Sequence, residues 1–190
     1  MVKKKCELIT EKSLQTYFYK ILEELNNEII SPLPTEFIFY SSDVLDHYGS
    51  TEKFESEKPL GIKFLEASSF KTEEKKKVFK EVGDQSLLMS SYYSFSIEKK
   101  IVNKDYYIKL GKSAYSRLNE LSPELYDIPS FFSNLSHRFE VLAALCLRLS
   151  LELNSENDEE YELKLHELDD KLSYLEKIIM KIDRKSKKVA

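Results

Sequence analysis

The sequence predicts an all-α protein: a single bundle of about seven helices ending in a long, heptad-patterned C-terminal hairpin. Three observations predict it. Only four Gly and five Pro occur in 190 residues, under half of the roughly 12% that average usage supplies. That scarcity argues against sandwiches, barrels and glycine-looped nucleotide folds, which need many tight turns. Apolar residues recur at helical spacing along most of the chain, and no strand is convincing. Near the C-terminus, two consecutive segments carry heptad seams. The length fits one domain of roughly 100–200 residues with an appended helix. The division expected is a mobile tail (1–9), a bundle (10–155), a heptad helix (156–186) and a basic tail (187–190).

Thr10 is the expected N-cap of a first helix reaching about Ile30, with Leu14, Phe18, Ile21, Leu25 and Ile29 on one face. Ser31-Pro32-Leu33-Pro34 stops it, because proline lacks an amide donor and keeps its predecessor out of helical space. Thr35 opens a second helix through Tyr48, closed by Gly49. Phe37-Ile38-Phe39-Tyr40 also suits a buried strand, but Phe37, Tyr40, Val44 and Tyr48 share a helical face. Residues 50–58 read as a polar loop, and Pro59 starts a short helix with Leu60, Phe64 and Ala67 on one side.

Thr72 opens a helix to about Lys99, with Glu73 and Glu74 suited to its N-terminal dipole. Gly83 in its middle costs about 1 kcal/mol against Ala. Gly83, Ser86, Ser90 and Ser94 form a small-residue stripe that lets another backbone approach. Asn103 caps a helix from Lys104 to about Leu121, with Tyr107, Gly111, Ala114 and Leu118 along one face. A tight connection near Ile101-Val102 makes these two helices an antiparallel pair, and Ser122-Pro123 and Ile128-Pro129 frame a linker.

Ile128, Phe132, Leu135, Phe139, Leu142, Cys146, Leu149 and Leu153 then form a heptad seam on one expected helix. Val141, Ala144, Leu145 and Leu147 lie off that seam, so this helix should be buried on several sides. A second seam follows at Tyr161, Leu165, Leu168, Leu172, Leu175, Ile179 and Ile182. With Leu165, Leu172 and Ile179 as a positions, Asp169 and Glu176 fall at e and Lys164 and Lys171 at g. A parallel homodimer can use that arrangement, pairing Lys164 with Asp169 and Lys171 with Glu176. An antiparallel hairpin within one chain is the simpler arrangement for two helices joined by a short polar loop.

No secretory leader, lipobox or spanning segment is read: Val141–Leu147 is the longest apolar run, far short of the roughly 20 residues a span needs. Cys6 and Cys146 are expected as free thiols in a reducing cytoplasm. Catalytic chemistry finds no constellation. His47, His137 and His166 sit on separate helices without metal-ligand spacing, and no phosphate-binding glycine loop occurs. No cofactor or metal is implied. Lys75-Lys76-Lys77, Lys99-Lys100 and the lysine-rich end would have to converge for nucleic-acid binding, which a net charge of -4 disfavours. Asp84, inside an otherwise apolar face, is expected to meet a hydroxyl or cation, with Tyr92, Tyr107, Tyr115 and Arg138 as the surrounding polar residues. It reads either as a network setting helix register or as a pocket for a small polar ligand.

Gly83-Asp84-x-x-Leu87, Asp105-Tyr106-Tyr107 and Gly111-x-x-Ala114-Tyr115, with the Tyr17-Phe18 and Thr35-Glu36-Phe37 segments, resemble a family of bacterial cytoplasmic proteins frequent in proteobacteria. The resemblance covers roughly residues 8–150 and implies a helical domain; it brings no catalytic residues. Where members often have Gly and Phe after the first motif, this chain has Ser90-Ser91-Tyr92-Tyr93. The expected role is a non-enzymatic interaction or regulatory protein acting through its C-terminal helices on a protein partner or a second copy.

Overall fold

The computed structural model describes residues 13–48, 58–94, 103–154, 166–175 and 177. The first helix, α1 (Leu14–Glu28), is capped by Ser13, whose hydroxyl accepts the Thr16 amide at 3.1 Å; the expected cap Thr10 lies outside the described residues. Its buried face is rotated from the expected seam. Leu22 and Asn26 join Phe18, Leu25 and Ile29 inside, while Leu14 is 47% exposed. Asn26 explains part of the rotation. Its amide donates to the Leu33 carbonyl and accepts the Leu33 amide, so it clamps the proline-flanked turn to α1.

Helix α2 (Thr35–Tyr48) packs along α1 and buries Phe37, Tyr40, Val44 and Tyr48, the face that the spacing predicts. Helix α3 (Leu60–Glu66) follows Pro59 and runs into a single 3-10 turn, Ala67–Ser69. Helix α4 (Thr72–Ser90) is shorter than expected, ending at Ser90 rather than near Lys99. The hydroxyls of Ser90 and Ser91 donate to the Ser86 and Leu87 carbonyls, local bonds that compete with continuation of the helix. The expected connection at Ile101-Val102 is outside the described residues.

Asn103 caps α5 (Lys104–Leu121) by accepting the Tyr106 amide at 3.1 Å. Among the described residues, helices α4 and α5 form the most extensive pairing, and it is antiparallel: Gly83 faces Tyr115, whereas Ser86, further along α4, faces the earlier Gly111. The small residues admit rings rather than a bare backbone. A Cβ on Gly83 would lie 2.5 Å from Tyr115 Cε1, and one on Gly111 would enter the Phe139 ring.

The linker after α5 is a two-stranded antiparallel hairpin, β1 (Glu124–Leu125) with β2 (Ile128–Pro129), where no strand was expected. Tyr126 and Asp127 both have positive φ, 54° and 59°, the backbone of the tight turn whose twist suits a hairpin. Ile128 therefore belongs to a strand, not to the heptad helix. That helix is itself two, α6 (Phe131–His137) and α7 (Phe139–Asn154), broken at Arg138 (φ -98°, ψ 8°). Asn119 of α5 accepts the Ser133 amide and caps α6 from outside, since Ser130 makes no side-chain cap. The apolar register survives the break: Phe132, Leu135, Phe139, Leu142, Cys146 and Leu149 are all buried. So are the off-seam Val141, Ala144, Leu145 and Leu147, making α7 the central element.

Residues 166–175 are helical (α8), and Leu168 and Leu172 belong to the same core while Leu175 is half-buried. Tyr161, Leu165, Ile179 and Ile182 lie outside the described residues. No helix among the described residues is long and apolar enough to cross a membrane.

Cys146 sits within α7 with no exposure, and burial pushes its thiol up to about 12. Because the thiolate is the reactive form, Cys146 in a Cys6→Ser background is expected to react with an aromatic disulfide reagent only as fast as the protein unfolds. Reaction at the rate of a free thiol in the native protein would contradict that packing.

Candidate functional site

The buried acid that the sequence singles out is the centre of a polar cluster joining three helices. Asp84 of α4 is 1% exposed. Its Oδ1 accepts the hydroxyls of Tyr40 (α2) at 2.5 Å and Tyr115 (α5) at 2.9 Å. Its Oδ2 accepts Lys80 Nζ, one turn earlier on α4, at 2.7 Å. The Lys80 ammonium also lies 5.1 Å from the Tyr40 ring centre. A carboxylate is stable in such a place only when donors and a cation replace its lost water, and all three are present.

The walls are aromatic. Tyr40 meets Tyr115, Phe131 and Phe132 at centroid separations of 6.2, 5.5 and 6.0 Å. Tyr115 stacks on Phe132 at 5.9 Å. Burial pushes the Asp84 carboxyl above its usual range, with the Lys80 ammonium and the two hydroxyls pulling against it. Tyr40 and Tyr115 are held well above the usual phenol range, first by burial and then by the Asp84 charge.

The other residues grouped with Asp84 do not share this cluster. Tyr107 is eight residues before Tyr115 on the same helix, about 12 Å along its axis, and its ring packs on Tyr106. Tyr92 lies past the end of α4, against Phe18 and Tyr93, and its carbonyl accepts the Ser150 hydroxyl. Arg138 occupies the break between α6 and α7; the cation beside Asp84 is Lys80. Sequence reasoning missed Lys80 and Tyr40. Lys80 was legible, because it stands four residues before Asp84, the spacing of a helical ion pair. Tyr40 had no such signal, since its approach depends on how α2 lies across α4.

This cluster can hold three helices in register. Its acid and both hydroxyls are closed to a substrate, because Tyr40, Asp84 and Tyr115 are each at most 1% exposed; Lys80 alone of the four reaches the surface. The histidines do not converge: His47, His137 and His166 are all exposed, on α2, α6 and α8. Among the described residues no cluster of His, Cys, Asp and Glu could hold a metal ion.

Fold and cluster together define an all-α bundle whose buried acid ties three helices together. No protein-family model matches the chain, and neither a curated protein nor a solved structure matches it.

Proposed function

We propose that the chain is a non-enzymatic helical interaction protein of the bacterial cytoplasm, engaging a protein partner or a second copy through the seam of its C-terminal helical hairpin. The supporting observation is how narrowly the described part of that seam is held. Helix α8 inserts Leu168 and Leu172 into the core, but His166, Glu167, Asp170, Lys171 and Tyr174 are exposed. Its fastening to the bundle includes Asp169 at 3.5 Å from Arg148, which also reaches Glu28 at 2.6 Å.

Each buried leucine contributes about 1.5–3 kcal/mol before ordering costs, and a partly exposed ion pair about 0–1 kcal/mol. A second amphipathic helix offers contacts of the same size. The seam is therefore suited to exchange between its own bundle and a partner, with Lys171 and Asp169 setting orientation.

Sedimentation of the full chain over a wide concentration range, with affinity capture from the native host, tests the reading. The expected result is self-association or one recurrent protein partner, lost in Leu168→Asp. A monomer at every concentration that captures no protein would end the proposal.

A further inference from the structure

On a different surface, three aromatic rings form a row across separate elements, two of them exposed and the third, Tyr19, partly buried. Tyr19 of α1 meets Phe39 of α2 at 6.4 Å between centroids, and Phe39 meets Tyr126 of the β-hairpin at 5.9 Å. Phe39 is 44% exposed and Tyr126 46%. Tyr126 occupies a positive-φ turn position, where a bulky residue is an outlier and Asn or Gly is favoured. What the chain gains there is a ring wedged between Phe39 and Phe131, the latter at 5.7 Å.

Carboxylates surround the row. Glu36 and Asp43 lie one turn to either side of Phe39 on the exposed face of α2. Glu23 accepts the Tyr19 hydroxyl at 2.7 Å, and Asp127 follows Tyr126 in the turn. Burial and then the Asp43 charge raise the Tyr126 phenol, which places Asp43 within electrostatic reach of that ring. Lys80 opposes that shift, but its ammonium is already bonded to Asp84.

We propose that the Tyr19–Phe39–Tyr126 row and its carboxylates form a docking surface for an arginine-bearing peptide segment of a partner protein. Charge complementarity and shape together select that occupant. A guanidinium is flat, weakly hydrated and always charged, so it stacks on an aromatic face while its edge pairs with a carboxylate. Ring faces flanked by Asp43, Glu36 and Glu23 supply both halves. The same charges repel nucleic acid, anionic lipid and acidic peptides. This surface is separate from the α8 seam, so the two proposals stand or fall independently.

The test uses the full chain with carbon-13 labelled aromatic rings and a synthetic peptide of repeating Arg-Ser-Gly, alongside Lys and Glu counterparts of equal length. The Arg peptide is expected to shift the Phe39 and Tyr126 ring signals saturably and to bind more weakly as salt rises. The Lys peptide should bind more weakly than the Arg peptide, and the Glu peptide not at all. Phe39→Ala and Asp43→Asn should each weaken binding by about fivefold or more. Asp43 is an exposed side chain, so its variant carries the test even if Phe39→Ala loosens the fold. No saturable shift at millimolar peptide, shifts mapping to another face, equal binding by the Glu peptide, or unchanged affinity in Asp43→Asn would each overturn the proposal.

Discussion

Replacing Asp84 by Ala is expected to lower the unfolding free energy by about 3–5 kcal/mol, the range for removing one partner from a buried ionic cluster. The loss comes from what is left behind. Two fully buried hydroxyls, Tyr40 and Tyr115, lose their acceptor, and each unsatisfied buried group costs about 1–3 kcal/mol. Lys80, which is partly exposed, recovers water and loses less. Tyr40→Phe and Tyr115→Phe should each cost about 1.5–3 kcal/mol, the range for a hydrogen bond to a charged group. Urea denaturation followed by circular dichroism measures all three. An Asp84→Ala protein as stable as the parent would show that the cluster does not tie the helices together.

The same cluster sets a pH dependence. The folded protein holds the Asp84 carboxyl above its unfolded value, so between those values the native state binds the extra proton. Stability contributed by this group therefore falls as pH rises from about 4 through the folded value. Asp84→Asn should remove that slope. Tyr40 and Tyr115, raised for the same dominant reason, act with the same sign above pH about 10. There the unfolded chain releases phenolic protons that the folded chain retains. Denaturation midpoints should drop on the alkaline side, and tyrosinate absorbance should show two phenols that ionise only on unfolding. Full ionisation of all twelve tyrosines without unfolding would contradict the geometry.

The second large effect is expected at the two helical glycines. Intrinsic propensity alone predicts that Gly83→Ala and Gly111→Ala stabilise the protein by about 1 kcal/mol each. The packing predicts the reverse, a loss of about 1–3 kcal/mol for each. A Cβ on Gly83 would press on a Tyr115 ring pinned by its bond to Asp84 and by its stack on Phe132. On Gly111 it would press on Phe139, which is 0% exposed, and stand 3.0 Å from Ser86 Cβ. Thermal melts distinguish the two outcomes by sign. If the ring is the obstacle, Gly83→Ala should cost less in a Tyr115→Leu background, so the pair is non-additive. Stabilisation by either single substitution would show that the rings yield freely.

The helical character and several helix limits were legible because they rest on short-range chemistry. The Asn103 cap predicts the start of α5, and the Pro-rich turn predicts the gap between α1 and α2. The errors occurred where local chemistry competes or where one helix answers to another. Ser90, which reads as part of a packing stripe, and its neighbour Ser91 also bond back to their own helix, and α4 ends at Ser90. The heptad spacing from Phe132 to Leu149 is continuous in sequence, yet Arg138 breaks the backbone without disturbing which residues are buried. A hairpin at Tyr126-Asp127 was not legible, because Tyr126 is a rare residue at positive φ, no Gly follows Asp127, and the ring contacts that hold the turn are long-range.

By itself the sequence determined that this chain is helical, that Gly83 and Gly111 mark close packing, and that Asp84 needs partners. Those conclusions follow from backbone freedom, periodicity and the cost of burying a charge, all properties of a residue and its neighbours. Only the tertiary structure decided which partners: Tyr40 from a helix forty-four positions away, Tyr115 across the α4–α5 pair, and rings rather than backbone against the glycines. Such choices depend on how helices cross. Helix crossing is set by the simultaneous fit of many side chains, which no single spacing encodes.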